Sequence, residues 1–341
     1  MQILHPARQV RLGASLGAAV LIVACQGPGA GPSLAAPVSS STPTHVPAPV
    51  VVAADRAPLT DLVWSGDLAT RSRTATVVAI GDGSPTGLSA ADLVFQELDG
   101  SGRQHLLAVY QSQLPGRAGP LDDLRASDVS LLAVLHPGLA YAAARPSVSQ
   151  ELHQQAAIVD LSRGRPLTNS AYQEAGGQLF VDTGALSAAS AGTVAVQGVL
   201  AFTDDVAPLT LTANAVGRVI VGVTSSSPQT WTYDPTLRRY TGIAASFGTF
   251  EASNLVVQYV NYRTTADRHD DGSHVLSPGL FGRGRCVVFS RGTQSDCAWI
   301  KAGADSVTSY TDPSGVPLRL SPGQTWIAMV PETATVQAQP S

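Results

Sequence analysis

Residues 286–300 read Cys286-Val-Val-Phe-Ser290, Arg291-Gly-Thr-Gln294, Ser295-Asp-Cys-Ala-Trp-Ile300. β-Branched and aromatic residues flank an Arg-Gly turn, which is the signature of a β-hairpin. A turn centred on Arg291-Gly292 sets Cys286 directly opposite Cys297. Facing Cβ atoms lie roughly 4.5–5.5 Å apart, so a small adjustment closes a disulfide. Outside the cytoplasm an isolated cysteine pair is a disulfide before it is a metal or catalytic site. Closing so short a loop contributes about 2–3 kcal/mol.

The same texture extends on both sides of the hairpin. Segments 209–212, 218–223, 231–233, 239–243, 255–262, 307–310 and 325–330 alternate or run β-branched, separated by turns rich in Gly, Pro and Asp. A mostly β domain over 206–335 follows, with a disordered tail over 336–341. Towards the N-terminus the pattern changes. Segment 76–80 reads as a short buried strand. Segments 93–98 and 106–111 are two more, joined by Asp99-Gly-Ser-Gly102. Segment 126–135 is periodic enough for a helix that stops at Pro137-Gly138, and 147–155 is a second helix. The fold class is therefore α+β or α/β: a mixed α/β domain over 58–205, then the strand-rich domain.

Residues 1–24 carry Arg8 and Arg11, no acidic residue, and an apolar run from Leu12 to Val23. That is a signal-peptide layout, shorter than the roughly 20 apolar residues of a membrane span. The run ends Leu21-Ile-Val-Ala-Cys25, which resembles the bacterial lipobox. The resemblance implies cleavage before Cys25 and acylation of that cysteine, palmitate included. The expected address is the extracytoplasmic face of the cell membrane, with the bilayer as partner through two acyl chains. Residues 25–57, rich in Pro, Gly, Ser and Ala, form a flexible tether with an r.m.s. span on the order of 30 Å.

Composition excludes more than it selects. The formal charge is −4, with one lysine, Lys301, and no basic stripe. Nucleic acid is not expected as a partner, because phosphate contacts need clustered Lys and Arg. Aromatic residues make up 6% of the chain, few for a stacked sugar platform; Trp231, Tyr233 and Tyr240 read equally well as one face of a β core. Gly13-Ala-Ser-Leu-Gly17 matches the nucleophile elbow but lies in the signal peptide. The glycine-rich loop 81–87 lacks the spacing of a phosphate cradle. His269-Asp-Asp-Gly-Ser-His274 is a turn before it is a metal site. His105, His136 and His153 read as structural or exposed, and Asp122-Asp123 and Asp204-Asp205 as solvated turns. No catalytic residue, metal site or cofactor is expected.

Two runs carry a family resemblance. Gly87-Leu-Ser-Ala-Ala-Asp-Leu-Val-Phe-Gln-Glu97, Leu106-Leu-Ala-Val-Tyr-Gln111 and Arg117-Ala-Gly-Pro120 are similar to the N-terminal domain of the YerB-like bacterial lipoproteins. Asn254-Leu-Val-Val-Gln258, Trp299-Ile-Lys301, Tyr310-Thr-Asp312, Gly315-Val-Pro-Leu-Arg-Leu320 and Pro322-Gly-Gln-Thr-Trp-Ile327 are similar to its C-terminal domain. The family is one of unknown function, so the resemblance implies architecture and address. Where relatives place Val-Arg-Ser-Ala-Arg after Gly-Pro, this chain has Leu121-Asp-Asp-Leu-Arg125. Glu97, Arg117 and Arg125 remain as candidate ligand-binding residues around one cleft, arginine being suited to carboxylate or phosphate. The expected role is non-enzymatic binding or scaffolding of an envelope polymer or protein. The alternatives are a hydrolase or transferase acting on cell-wall glycan or anionic polymer, and a purely structural role.

Overall fold

The computed structural model describes residues 52–100, 103–165, 167–190, 194–203, 214–222, 228–245, 248–269 and 271–340. The expected signal peptide, Cys25, most of the expected tether, segment 209–212 and the Asp204-Asp205 pair lie outside them. Among the described residues no helix is long and apolar enough to cross a membrane.

The opening strands are β1 (Thr76–Ile80), β2 (Leu93–Leu98) and β3 (Gln104–Tyr110). β1 and β3 are rich in Val, Leu, Ala and Ile and are buried throughout. Helix α1 (Ala126–Leu132) runs on as a 3-10 turn, Ala133–Leu135, before β4 (Gly138–Ala140). Helix α2 (Pro146–Gln154) follows, with Pro at its first position as suits an N-terminus. β5 (Val159–Asp160) completes the set.

These five strands do not form a sheet of their own. They continue into strands of the second half, in the order Ser309–Thr311, Thr293–Lys301, Gly282–Ser290, Asn254–Val260, Thr325–Pro331, β2, β3, β1, β4, β5. The join is the parallel pairing of Thr325–Pro331 with β2, which puts Trp326 beside Val94 and Ile327 beside Phe95. A second sheet runs Gly248–Ala252, Arg239–Ala244, Gln229–Asp234, Arg218–Gly222, Thr335–Gln339. The architecture is thus mixed α/β in the first half and mostly β in the second, with one large sheet common to both. Two expectations change. Residues 335–339 are a strand paired with Arg218–Gly222 rather than a disordered tail, because their backbone completes the open edge of that sheet. Residues 56–57 belong to the folded body rather than the tether: Arg56 bridges Val63 and Ala57 is buried.

The period-two alternation of strands sorts the core onto the sheet's two faces. Leu107 and Val109 of β3 pack with Leu124, Val129 and Leu132 beside α1. Leu106, Ala108 and Tyr110 pack on the other face with Trp231, Tyr240, Phe250 and Trp326. Trp231 meets Phe250 and Trp326 edge-on, with ring centroids 4.7 Å and 5.4 Å away. The Trp231 cluster is therefore core, clamped between two sheets.

The Cys286 hairpin pairs in the register expected, with Cys286 opposite Cys297, and the two sulfurs are bonded. Its strands are longer than the sequence pattern suggests and its loop is shorter. Ser290 pairs with Thr293, leaving Arg291 and Gly292 alone in the turn at φ 55° and 68°. Both left-handed, they match the twist of the flanking strands.

Candidate functional site

Strands β1 and β2 both run antiparallel to β3, so their C-terminal ends lie on the same edge. Just beyond that edge is a polar cavity of about 260 Å³. Its walls come from Asp82 after β1, Asp99 after β2, Gln104 opening β3, the run 121–125, Arg145 before α2, and His269, Asp271 and Val275 of the hairpin formed by Tyr262–Arg268 and His274–Pro278. Ligands of open α/β sheets collect at strand C-terminal ends.

The run 118–124 is extended and held on both sides. Asp122 N–H donates to Ala79 O and Ala142 N–H to Asp122 O, at 2.9 Å and 2.8 Å. Leu124 then pairs with Ala144. This lays Asp122 across the end of β1, where a Cβ on Gly81 would stand 3.2 Å from its carboxyl carbon. Immediately afterwards α1 begins. Arg125 is its cap residue, and Asp128 accepts from the Arg125 backbone N–H at 2.8 Å. Ser127 reaches back to the sheet and donates to Glu97 Oε2 at 2.8 Å.

At the centre is His105. The β2–β3 register sets it opposite Glu97, and its side chain is fully buried. Nδ1 lies 2.7 Å from Asp122 Oδ2, and Nε2 lies 3.1 Å from both oxygens of Asp128. Carboxylates accept only, so both ring nitrogens must carry protons, and His105 is an imidazolium. Burial and the Arg125 charge pull its pKa down; the Asp128 charge and the two hydrogen bonds outweigh them and raise it to about 9. Asp122 is opposed by burial, yet the bond and charge of His105, with Arg125 beyond, hold it well below the usual carboxylate range. Arg125 Nη2 stands 3.5 Å from Asp122 Oδ2, and Nη1 donates to Leu98 O at 3.4 Å. Two cations thus face two carboxylates, and Glu97 is the fifth group. Burial first and the Asp128 charge next push Glu97 up to about 7, against His105, Arg125 and Ser127. Near neutrality the cluster therefore hovers between zero net charge and one negative charge.

Of the three residues singled out in sequence, the structure brings two together. Glu97 and Arg125 share this cluster. Arg117 does not line the cavity; it is exposed and lies over the Phe180 ring, 3.9 Å from its centroid. The bland reading of Asp122 as a solvated turn residue also fails: it is the carboxylate that bridges His105 to Arg125, whereas its neighbour Asp123 is exposed. His105 is structural, as expected, but at the heart of the site. The turn at His269 is a turn, closed by Gly272 N–H to His269 O and His269 N–H to Ser273 O. Among the described residues no group of His, Cys, Asp or Glu is arranged to hold a metal. Lys301 lies elsewhere, buried beside a small apolar cavity of about 30 Å³. Its amine donates to the carbonyls of Ala304 and Ser306, and burial pulls its pKa down to about 8.

Two family descriptions cover this fold. "Protein of unknown function (DUF3048) N-terminal domain" matches residues 76–195, and the corresponding C-terminal domain matches 219–327. The chain belongs to the DUF3048 family. A crystal structure of the YerB protein from Bacillus subtilis has the same fold, with a TM-score of 0.67 at 19% identity, covering 83% of this chain and 99% of that one. No curated protein matches the sequence. The DUF3048 N-terminal match takes in the whole His105 cluster, and the hairpin carrying His269 falls within the C-terminal match, so this chain's cavity draws on both.

Proposed function

We propose that this DUF3048 protein is a lipid-anchored, extracytoplasmic binding protein that holds a cell-envelope polymer in the cavity beyond β1 and β2. The observation that carries the binding reading is His105. Both of its ring nitrogens are committed to carboxylates, so it has no free site to take or deliver a proton. A general base needs one. The cluster is a fixed, charged wall, which suits recognition. The anchor rests on the lipobox at Cys25, and the tether gives the body reach to cell-wall material near the bilayer. Sedimentation of the full-length protein with purified cell-wall sacculi tests the reading. Co-sedimentation that is lost when the exposed rim residue Asp123 becomes Arg supports it; no co-sedimentation of the wild type refutes it.

A second reading, glycan hydrolysis, has one observation in its favour. Asp82 and Asp122 line one cavity with opposite tendencies. Burial raises the pKa of Asp82 against a hydrogen bond from the Gln104 backbone, while His105 and Arg125 keep Asp122 ionised. Carboxyls pushed apart in this way are how acid and base are assigned in glycosidases. Release of reducing ends from sacculi, abolished by Asp82→Asn, would establish it; its absence leaves the binding reading.

A further inference from the structure

Nine large apolar side chains are exposed among the described residues, and three of them, Leu62, Val63 and Leu68, fall in one run of seven residues. A fourth, Val194, is held to the same region by its carbonyl, which accepts from Thr74 Oγ1 at 3.2 Å. Ala57, Leu59 and Trp64 of this region turn inwards and are buried. Trp64 Nε1–H donates to Asp67 O at 3.0 Å, and Arg73 lies over the Trp64 ring. Asp67 caps the 3-10 turn Leu68–Thr70, accepting from Ala69 N–H at 2.9 Å. The fold thus fixes the backbone while leaving the aliphatic side chains in water, and a cluster of that kind marks a contact surface. The described body also begins here, at residue 52. Arg71 donates to Ala53 O at 2.9 Å and to Arg56 O, and Trp64 N–H donates to Asp55 O at 2.8 Å. The point where the tether joins the body is therefore bonded to the apolar lobe. Arg56, Arg71 and Arg73 balance Asp55, Asp61 and Asp67, so the lobe carries no net formal charge.

We propose that this lobe is a bilayer contact: in the anchored chain, Leu62, Val63 and Leu68 enter the interfacial region of the membrane that holds Cys25. This inference rests on the reading of Cys25 as the lipid anchor and goes beyond the reading of the cavity. Any pull transmitted by the tether acts on residues 52–56, and Arg71 and Trp64 pass it to the lobe. A tether with an r.m.s. span on the order of 30 Å keeps the lobe concentrated over the surface. A contact too weak to hold a free chain is then populated, because the second binding event is intramolecular. The balanced charge sets the chemistry. Aliphatic side chains enter the headgroup and acyl boundary to a depth of about 5–10 Å, with no call on anionic lipid.

The test is spin labelling of the full-length acylated chain in phosphatidylcholine vesicles, with and without phosphatidylglycerol. Cys286 and Cys297 are bonded to each other, and acylation occupies Cys25, so an added cysteine is the one free thiol. Nitroxides are placed by Val63→Cys and Leu68→Cys, with Leu237→Cys and Val316→Cys as exposed controls away from the lobe. Collision with oxygen, which concentrates in lipid, is compared with collision with a water-soluble nickel chelate. Oxygen is expected to dominate at 63 and 68 and the chelate at 237 and 316, equally in both vesicle compositions. All four substitutions are at exposed positions, so each variant should unfold at the wild-type temperature. The same ratio at all four sites, in chain that floats with the vesicles, overturns the contact and leaves the anchor standing. Oxygen dominance only when phosphatidylglycerol is present overturns the apolar account. If the full-length chain from the producing cell does not float with vesicles at all, the anchor and the contact fall together.

Discussion

Replacing Glu97 by Gln gives the sharpest test of the charge count around His105. Glu97 titrates near 7 in the folded chain, against an ordinary value of 4.5. A carboxyl whose pKa is raised by folding favours the fold while protonated. Its contribution is complete below about pH 4.5 and is lost as pH rises through 7. At about 1.4 kcal/mol per pH unit, the loss between pH 4.5 and 8 is about 3 kcal/mol. Glutamine stays neutral throughout, and its carbonyl still accepts from Ser127. Urea denaturation of wild type and Glu97→Gln at pH 5 and pH 8 isolates the residue, because Asp92, also raised by burial to about 6, is common to both. The variant should match the wild type within about 1 kcal/mol at pH 5 and exceed it by about 2–3 kcal/mol at pH 8. His105 contributes in the same direction but higher, its stabilisation being lost as pH rises through about 9. Equal destabilisation of the variant at both pH values would show that Glu97 is needed as an anion, and would refute the count.

Three other outcomes are expected. Changing Cys286 and Cys297 together to Ser should cost about 2–3 kcal/mol for a loop of this length, read as a lower urea midpoint, and reducing the wild type should reproduce it. Gly242→Ala should destabilise by about 1–3 kcal/mol, since its Cβ would stand 2.1 Å from the Phe250 ring that packs on Trp231 and Trp326; an unchanged melting temperature would contradict the packing described. Cys25→Ser should abolish palmitate labelling in the producing cell and release the protein from the membrane fraction.

The strands were legible wherever pattern and chemistry coincided. Thr76–Ile80 and Leu93–Leu98 fall where β-branched and apolar residues place them, and the Arg291-Gly292 turn alone fixes the cysteine register. Strands Gly248–Ala252, His274–Pro278 and Thr335–Gln339 are weaker in sequence because pairing at a sheet edge or in a two-stranded hairpin demands few apolar residues. The fusion of both halves into one sheet has no local signal, since parallel pairing of 325–331 with 93–98 depends on contacts more than 200 residues apart. The site was half legible. Glu97 and Arg125 stand out in the sequence, while His105 and Asp122 look ordinary there. The available clue is ionisable residues out of place: Tyr110 apart, Glu97 and His105 are the only ionisable residues of their two strands, and Asp128 is the one charged residue of its short helix. Three buried ionisable residues must satisfy one another. Arg117 misled because the same residue type serves as a surface cover for Phe180.

Hydrogen exchange of the full-length protein, alone and saturated with solubilised cell-wall fragments, tests the central claim most directly. Protection is expected at 81–83, 103–105, 121–126 and 267–276, the segments that wall the cavity. Protection confined to other surfaces, or exchange unchanged by wall fragments, would contradict the assignment of the cavity as the binding site.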